Sequence, residues 1–92
     1  MSAPKCYRVY VIQNPQGRFY IGLSEDVQLR LAQHNRGMST WSRQRGPWTL
    51  IWTSSPRSLT EARKLENRLK RQKRGIGFYK LTGLPSPSLQ SS

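Results

Sequence analysis

Acidic residues are scarce in this chain: four Asp and Glu stand against sixteen Lys and Arg in 92 residues, a formal net charge of +12. So few carboxylates argue against a multi-carboxylate cage holding two metal ions, and a surface so positive favours a polyanion as partner. Cysteine and histidine occur once each, as Cys6 and His34. One cysteine closes no internal disulfide, and a single histidine leaves no ligand set for a structural zinc site. The lone thiol is compatible with a reducing cytoplasm, the expected location, with nucleoid association if the source is bacterial. Long apolar runs are missing too. None approaches the roughly 20 residues needed to span a bilayer, and no lipidation or secretion signal opens the chain. A membrane is therefore not an expected partner, and nucleic acid is. The length suits one small domain, expected over residues 1–84, with a Pro- and Ser-rich tail at 85–92 expected to be disordered.

What is present is a short alternation of strand and helix patterns. Residues 7–12 alternate around valine and tyrosine, and Asn14, Pro15, Gln16 and Gly17 supply a type I turn with proline preset at its second position. Residues 19–22 form the return strand of a hairpin. If Gln13 pairs directly with Arg18, Tyr10 and Tyr20 point to opposite sides of the sheet. A site shared by both demands an irregularity between Gln13 and Tyr20, a bulge or an odd-length loop. The next helix is predicted over 25–35, capped by Ser24, with Glu25 and Asp26 in its first turn and Asn35, Arg36 and Gly37 as its stop. Val27, Leu31 and His34 follow i, i+4, i+7 spacing, and Arg30 shares an edge with His34 one turn later. After an Arg-rich loop from 37 to 47, residues 48–53 read as a third strand with Trp48 and Trp52 on one face. A second helix over 59–73, starting near Ser58 or Thr60, buries Leu59, Ala62, Leu65 and Leu69 and carries Glu66 within that stripe. Gly75 and Gly77 break the pattern, and residues 78–81 return to the core. The expected fold is α+β, a small three-stranded antiparallel sheet flanked by helices.

Two tyrosine-bearing strands, with Arg8-Val9-Tyr10 in the first and Tyr20-Ile21-Gly22 in the second, lie a short turn apart, followed by a helix with Arg30 and His34 and a later helix with Glu66. In this order and with these gaps the chain resembles the GIY-YIG nuclease family, whose first motif is degenerate except at its tyrosine and whose second is close to Tyr-Ile-Gly. The stretch Trp41-Ser42-Arg43, then Arg45-Gly46-Pro47-Trp48, is similar to one in small stand-alone members and in a junction endonuclease that works with a scaffold partner. The cysteine-rich zinc module that follows the nuclease domain in the latter has no counterpart here.

The resemblance implies a metal-dependent endonuclease that hydrolyses DNA phosphodiesters, selective for structure rather than sequence, in repair or recombination. Tyr10, Tyr20, Arg30, His34 and Glu66 would be catalytic. Such hydrolysis needs a nucleophilic water, charge neutralisation on a phosphorane-like transition state, and help for the leaving oxygen. Glu66 would hold one hard divalent ion, Mg²⁺ or Mn²⁺, which binds through one carboxylate plus waters and substrate phosphate. Arg30 would grip the scissile phosphate in a bidentate fork. Tyr10 and Tyr20 would position or deprotonate the water, a poor task for a phenol of ordinary pKa near ~10 unless positive charge lowers it. His34 either assists proton transfer or binds a phosphate oxygen. Gly22 either lets backbone approach the site or ends its strand.

Each of these residues also has a plainer reading: tyrosines as packing residues, His34 as a core polar contact, Arg30 as a solvated charge, and Glu66 as the partner of Lys70 four residues on. The cations Arg63, Lys64, Arg68, Lys70, Arg71, Lys73 and Arg74 crowd the second helix, and Arg36, Arg43 and Arg45 lie near or in the loop after the first. Arg36, Arg43, Arg45, Arg63, Arg68, Lys70 and Arg71 are expected to contact phosphates, giving salt-sensitive affinity without base readout. Trp41 either stacks on an exposed base or covers the core. Targeting would then come from DNA shape, a homodimer or a partner protein. The alternatives are a non-catalytic nucleic-acid-binding module on the same fold, on DNA or RNA, and a small basic RNA-associated protein.

Overall fold

The computed structural model describes residues 5–36, 47–72 and 75–84. The expected tail at 85–92, and Trp41, Arg43, Arg45, Lys73 and Arg74, lie outside them. The elements run β1 (Arg8–Gln13), β2 (Phe19–Ser24), α1 (Val27–Asn35), β3 (Thr49–Thr53), α2 (Leu59–Arg71) and α3 (Ile76–Thr82). The three strands form one antiparallel sheet in the order β2-β1-β3, so the fold is the expected α+β arrangement. No described helix is long and apolar enough to cross a membrane.

The central strand is covered on both sides, which is why Val9, Tyr10, Val11 and Ile12 are all 1% exposed or less. On one side Val9 and Val11 join Phe19 and Ile21 of β2, Ala62, Leu65 and Leu69 of α2, and Phe78 of α3. On the other, Tyr10 and Ile12 meet Val27 and Leu31 of α1, with Tyr20, Trp48 and Leu50.

The side on which each tyrosine falls is decided at the hairpin tip. Asn14 and Arg18 close a three-residue loop, with the Asn14 amide donating to the Arg18 carbonyl at 3.1 Å and the Gly17 amide to the Asn14 carbonyl at 2.9 Å. Gly17 completes it at φ 83°, a left-handed conformation that favours glycine. The odd loop pairs Gln13 with Phe19, Ile12 with Tyr20 and Tyr10 with Gly22. Tyr10 and Tyr20 therefore share a face, by the irregularity the sequence called for.

Several local expectations are corrected. Trp48 and Trp52 do not share a face. The β1–β3 register shifts between Val11 and Ile12, pairing Val11 with Trp52 but Ile12 with Leu50. The extra residue, Ile51, forms a bulge that reverses the alternation, so Trp48 joins the α1 side and Trp52 the α2 side. Helix α1 starts two residues later than expected, because Asp26 rather than Ser24 caps it, its Oδ1 accepting from the Leu29 amide at 3.0 Å. The Ser24 hydroxyl instead accepts from the Asp26 amide at 3.0 Å. Ser58 caps α2, accepting from the Glu61 amide at 3.2 Å, and that helix ends at Arg71 rather than at 73. Residues 76–82 form a third helix despite Gly77, held by Phe78, which is fully buried and stacks on Phe19 at 5.2 Å between ring centroids.

Candidate active site

The α1 side of the sheet gathers four of the five predicted residues. Tyr10 is 1% exposed, and its ring lies across the backbone of its cross-strand partner. A Cβ at Gly22 would stand 2.6 Å from the Tyr10 hydroxyl oxygen, so only glycine leaves room for the phenol. Gly22 lies inside β2 and does not end it. The Tyr10 hydroxyl is 3.0 Å from His34 Nε2, and His34 is itself 1% exposed, carried inward by the Val27, Leu31, His34 spacing. Tyr20, half-buried, sets its ring edge-on to the same imidazole at 4.5 Å between centroids and at 61°.

Arg30 approaches this group one helical turn before His34. Its charge favours the ionised form of the Tyr10 phenol, and its Nη1 donates to Gln33 Oε1 at 2.9 Å.

The electrostatics keep both buried groups neutral. Burial, then the neighbouring Tyr20 phenol and more weakly the Glu66 carboxylate, push Tyr10 up to about 12 against the opposing pull of Arg30. His34 is held below its ordinary value, first by burial and then by the positive charge of Arg30.

Glu66 comes from α2, on the flank of the Ala62, Leu65, Leu69 stripe, with its side chain 17% exposed. It acts electrostatically on Tyr10, and its Oε2 lies 3.5 Å from Lys70 Nζ. The i, i+4 pair expected from spacing is thus present, alongside the link to the tyrosine. Arg63 and Lys70, three before and four after Glu66, share its side of the helix, whereas Arg68 and Arg71 project elsewhere. All four are exposed, as is Arg36 after α1.

Among the described residues no three His, Cys, Asp or Glu side chains gather as a metal cluster. The donor set on offer is the single Glu66 carboxylate, which suits a magnesium-like ion that keeps most of its waters and shares phosphate oxygens. Lys70, 53% exposed, is free to swing aside for such a cation.

Two contributors were not singled out from the sequence. Gln33 orients Arg30, and its i, i+3 spacing was a visible signal. Asn35 reads in the sequence only as a helix stop, yet its Oδ1 accepts from the Trp48 amide at 2.6 Å and its Nδ2 donates to the Trp48 carbonyl at 3.1 Å.

The family pattern for the GIY-YIG catalytic domain matches residues 6–79. The chain is 42% identical over 69 residues to a UPF0213 protein of Halobacterium salinarum, covering 74% of this chain and 90% of that protein. It is 38% identical over 63 residues to a UPF0213 protein of Cronobacter sakazakii, covering 67% and 66% of the two chains. With a UPF0213 protein of Streptococcus pneumoniae serotype 4 it shares 40% identity over 67 residues, 72% and 68% of the two. The chain thus spans about two thirds of the latter two relatives. No solved structure matches it. With its paired tyrosines on one face of a β2-β1-β3 sheet and the match over residues 6–79, the chain belongs to the GIY-YIG family, a family of nuclease-type catalytic domains.

Proposed function

We propose that this protein is a metal-dependent DNA endonuclease that hydrolyses phosphodiester bonds, selecting its target by structure rather than base sequence, in repair or recombination. The observation that carries the reading is the convergence of Tyr10, Tyr20, Arg30 and His34 on one face, with Glu66 in electrostatic reach.

The two tyrosines divide the work. Tyr10 is buried, neutral and committed to His34, so it orients the imidazole and the guanidinium rather than taking a proton. Tyr20 is half-buried, so of the two phenols it is the one that meets the attacking water. Arg30 donates to the scissile phosphate as negative charge develops there. Neutral His34, with Nε2 occupied by Tyr10, fixes the edge on which Tyr20 rests. Glu66 would hold a divalent ion, magnesium or manganese, which would supply charge neutralisation for the phosphoryl oxygens and the leaving group. Arg63 and Lys70, beside Glu66 on α2, hold the phosphates on either side, and Arg36, Arg68 and Arg71 add long-range attraction without reading bases.

The test is cleavage of labelled branched, single-stranded and duplex DNAs and an RNA control at low salt, with magnesium, manganese or chelator. Wild type should cut only with metal. Glu66→Ala should abolish cutting, and Arg30→Ala should lower turnover about a hundredfold or more, as removal of a preorganised donor does. Cutting that survives chelator and both substitutions would overturn the assignment. Tight, salt-sensitive binding without cutting would favour a nucleic-acid-binding module, for which the exposed cations of α2 suffice.

A further inference from the structure

Trp48 immediately precedes β3 and is 3% exposed, with its indole in a T-shaped contact with the Tyr20 ring at 6.3 Å between ring centroids and 63° between planes. Its backbone faces the last residue of α1. Asn35 takes both polar groups of Trp48 with both ends of one carboxamide, accepting at 2.6 Å and donating at 3.1 Å. A carboxamide used in this way imitates one rung of a β ladder, and it ties the end of a helix to the residue before a strand. The contacts form a closed circuit: Asn35 to Trp48, Trp48 to Tyr20, Tyr20 to His34, and His34 back to Asn35 through the chain.

We infer that Asn35 is a positioning residue for the reaction, holding Trp48 so that its indole and the His34 imidazole together set the direction of the Tyr20 phenol. The inference rests on the nuclease reading above and adds to it a residue that contacts neither phosphate nor metal. The two hydrogen bonds fix Trp48 against α1 in one direction, because hydrogen bonds are directional where ring-edge contacts are broad. A phenol that must orient a water tolerates displacements of well under an ångström. Loss of the clamp should therefore appear in turnover. It should not appear in DNA affinity, which the exposed cations supply.

The experiment combines Asn35→Ala, Asn35→Asp and Trp48→Phe, with the double variant Asn35→Ala plus Trp48→Phe, and Arg30→Ala as the reference for lost chemistry. Asn35→Ala should lower kcat at least tenfold with KM for DNA unchanged. Asn35→Asp keeps the acceptor for the Trp48 amide but sets an oxygen against the Trp48 carbonyl, and should fall between wild type and alanine. The double variant should be no worse than the more damaged single one, because both substitutions break the same circuit. A second readout needs no cleavage. In a background with Trp41→Phe and Trp52→Phe, Trp48 is the sole indole, and Asn35→Ala should shift its emission to the red and open it to a neutral quencher.

Unchanged kcat and unchanged Trp48 emission in Asn35→Ala would overturn the inference. So would additive losses in the double variant, or a loss of kcat that simply follows the folded fraction measured by circular dichroism. If wild type cuts no substrate and equals Arg30→Ala, the nuclease reading fails, and the Trp48 emission still decides whether Asn35 holds the circuit.

Discussion

The two sides of one sheet are built on opposite terms. Toward α2 and α3, Val9, Val11, Phe19, Ile21, Leu65, Leu69 and Phe78 bury only hydrocarbon. Toward α1 stand an imidazole, two phenols and an indole, with Tyr10 Oη hydrogen-bonded to His34 Nε2 and the rings of Tyr20 and Trp48 packed beside them. Because β1 alternates between them, Val9 and Val11 face one and Tyr10 and Ile12 the other. The apolar side gains from burial in proportion to area. The aromatic side must satisfy each polar atom it buries, and so gains less from the same volume. This division lets a small domain keep a reactive group of residues rigid. The side that supplies stability leaves the other side's geometry free to serve chemistry.

The comparison can be broken first where its effect is largest. Phe78→Ala, at a fully buried position stacked on Phe19, should cost about 3–5 kcal/mol. That is a large share of the roughly 5–15 kcal/mol typical of small domains. Urea unfolding would show it, while the folded fraction should keep its turnover per molecule. Gly22→Ala strikes the other side: the added methyl meets the Tyr10 phenol, with an overpacking cost of about 1–3 kcal/mol. Here turnover should collapse far beyond the stability loss, and equal losses in both would mean that Tyr10 is only a packing residue. Tyr10→Phe keeps the ring and removes the hydroxyl, so unfolding should shift by about 1 kcal/mol, whereas kcat should fall at least tenfold as Arg30 and His34 lose their common anchor.

The smallest expected effect is in the pH dependence, and its sign follows from protons bound. His34 titrates below its unfolded value, so as pH falls beneath about 6.5 the unfolded chain takes up a proton that the folded one refuses, and stability drops. Tyr10 is raised to about 12. As pH climbs from about 10 toward that value the unfolded chain releases a proton the folded one keeps, and stability drops again. Thermal midpoints should therefore decline at both ends. His34→Gln should flatten the acid limb and Tyr10→Phe the alkaline one, and identical profiles for wild type and both variants would contradict the electrostatics described for the aromatic side.

The apolar side was largely readable in advance. The stripe of Ala62, Leu65 and Leu69 and the valines of β1 announce themselves by period, and the packing agrees. On the aromatic side, the requirement that Tyr10 and Tyr20 share a face was enough to call for an irregular hairpin, and the odd loop supplies it. What escaped the sequence depends on partners distant in the chain. The bulge at Ile51 that parts Trp48 from Trp52 is a property of two strands together, not of residues 48–53 alone. Helix α3 is short and contains Gly77, and it exists because Phe78 finds Phe19. The competition between Ser24 and Asp26 for the cap of α1 is decided by the bend that leads into the helix. Asn35 reads locally as a stop signal, and only the tertiary fold reveals its hold on Trp48.

The hairpin tip places the molecule under a rule of parity. Its loop contains Pro15, Gln16 and Gly17 between the closing pair Asn14 and Arg18. A slip of one residue, so that Gln13 closes on Arg18, would pair Tyr10 with Ile21 and turn Tyr20 toward the hydrocarbon side, dismantling the site without touching any residue in it. Loop tips are ordinarily where a protein tolerates insertions most freely. Here the tip must still close on Asn14 and Arg18, so a change at this turn that slips the register by one residue would be as damaging to the site as the loss of a tyrosine.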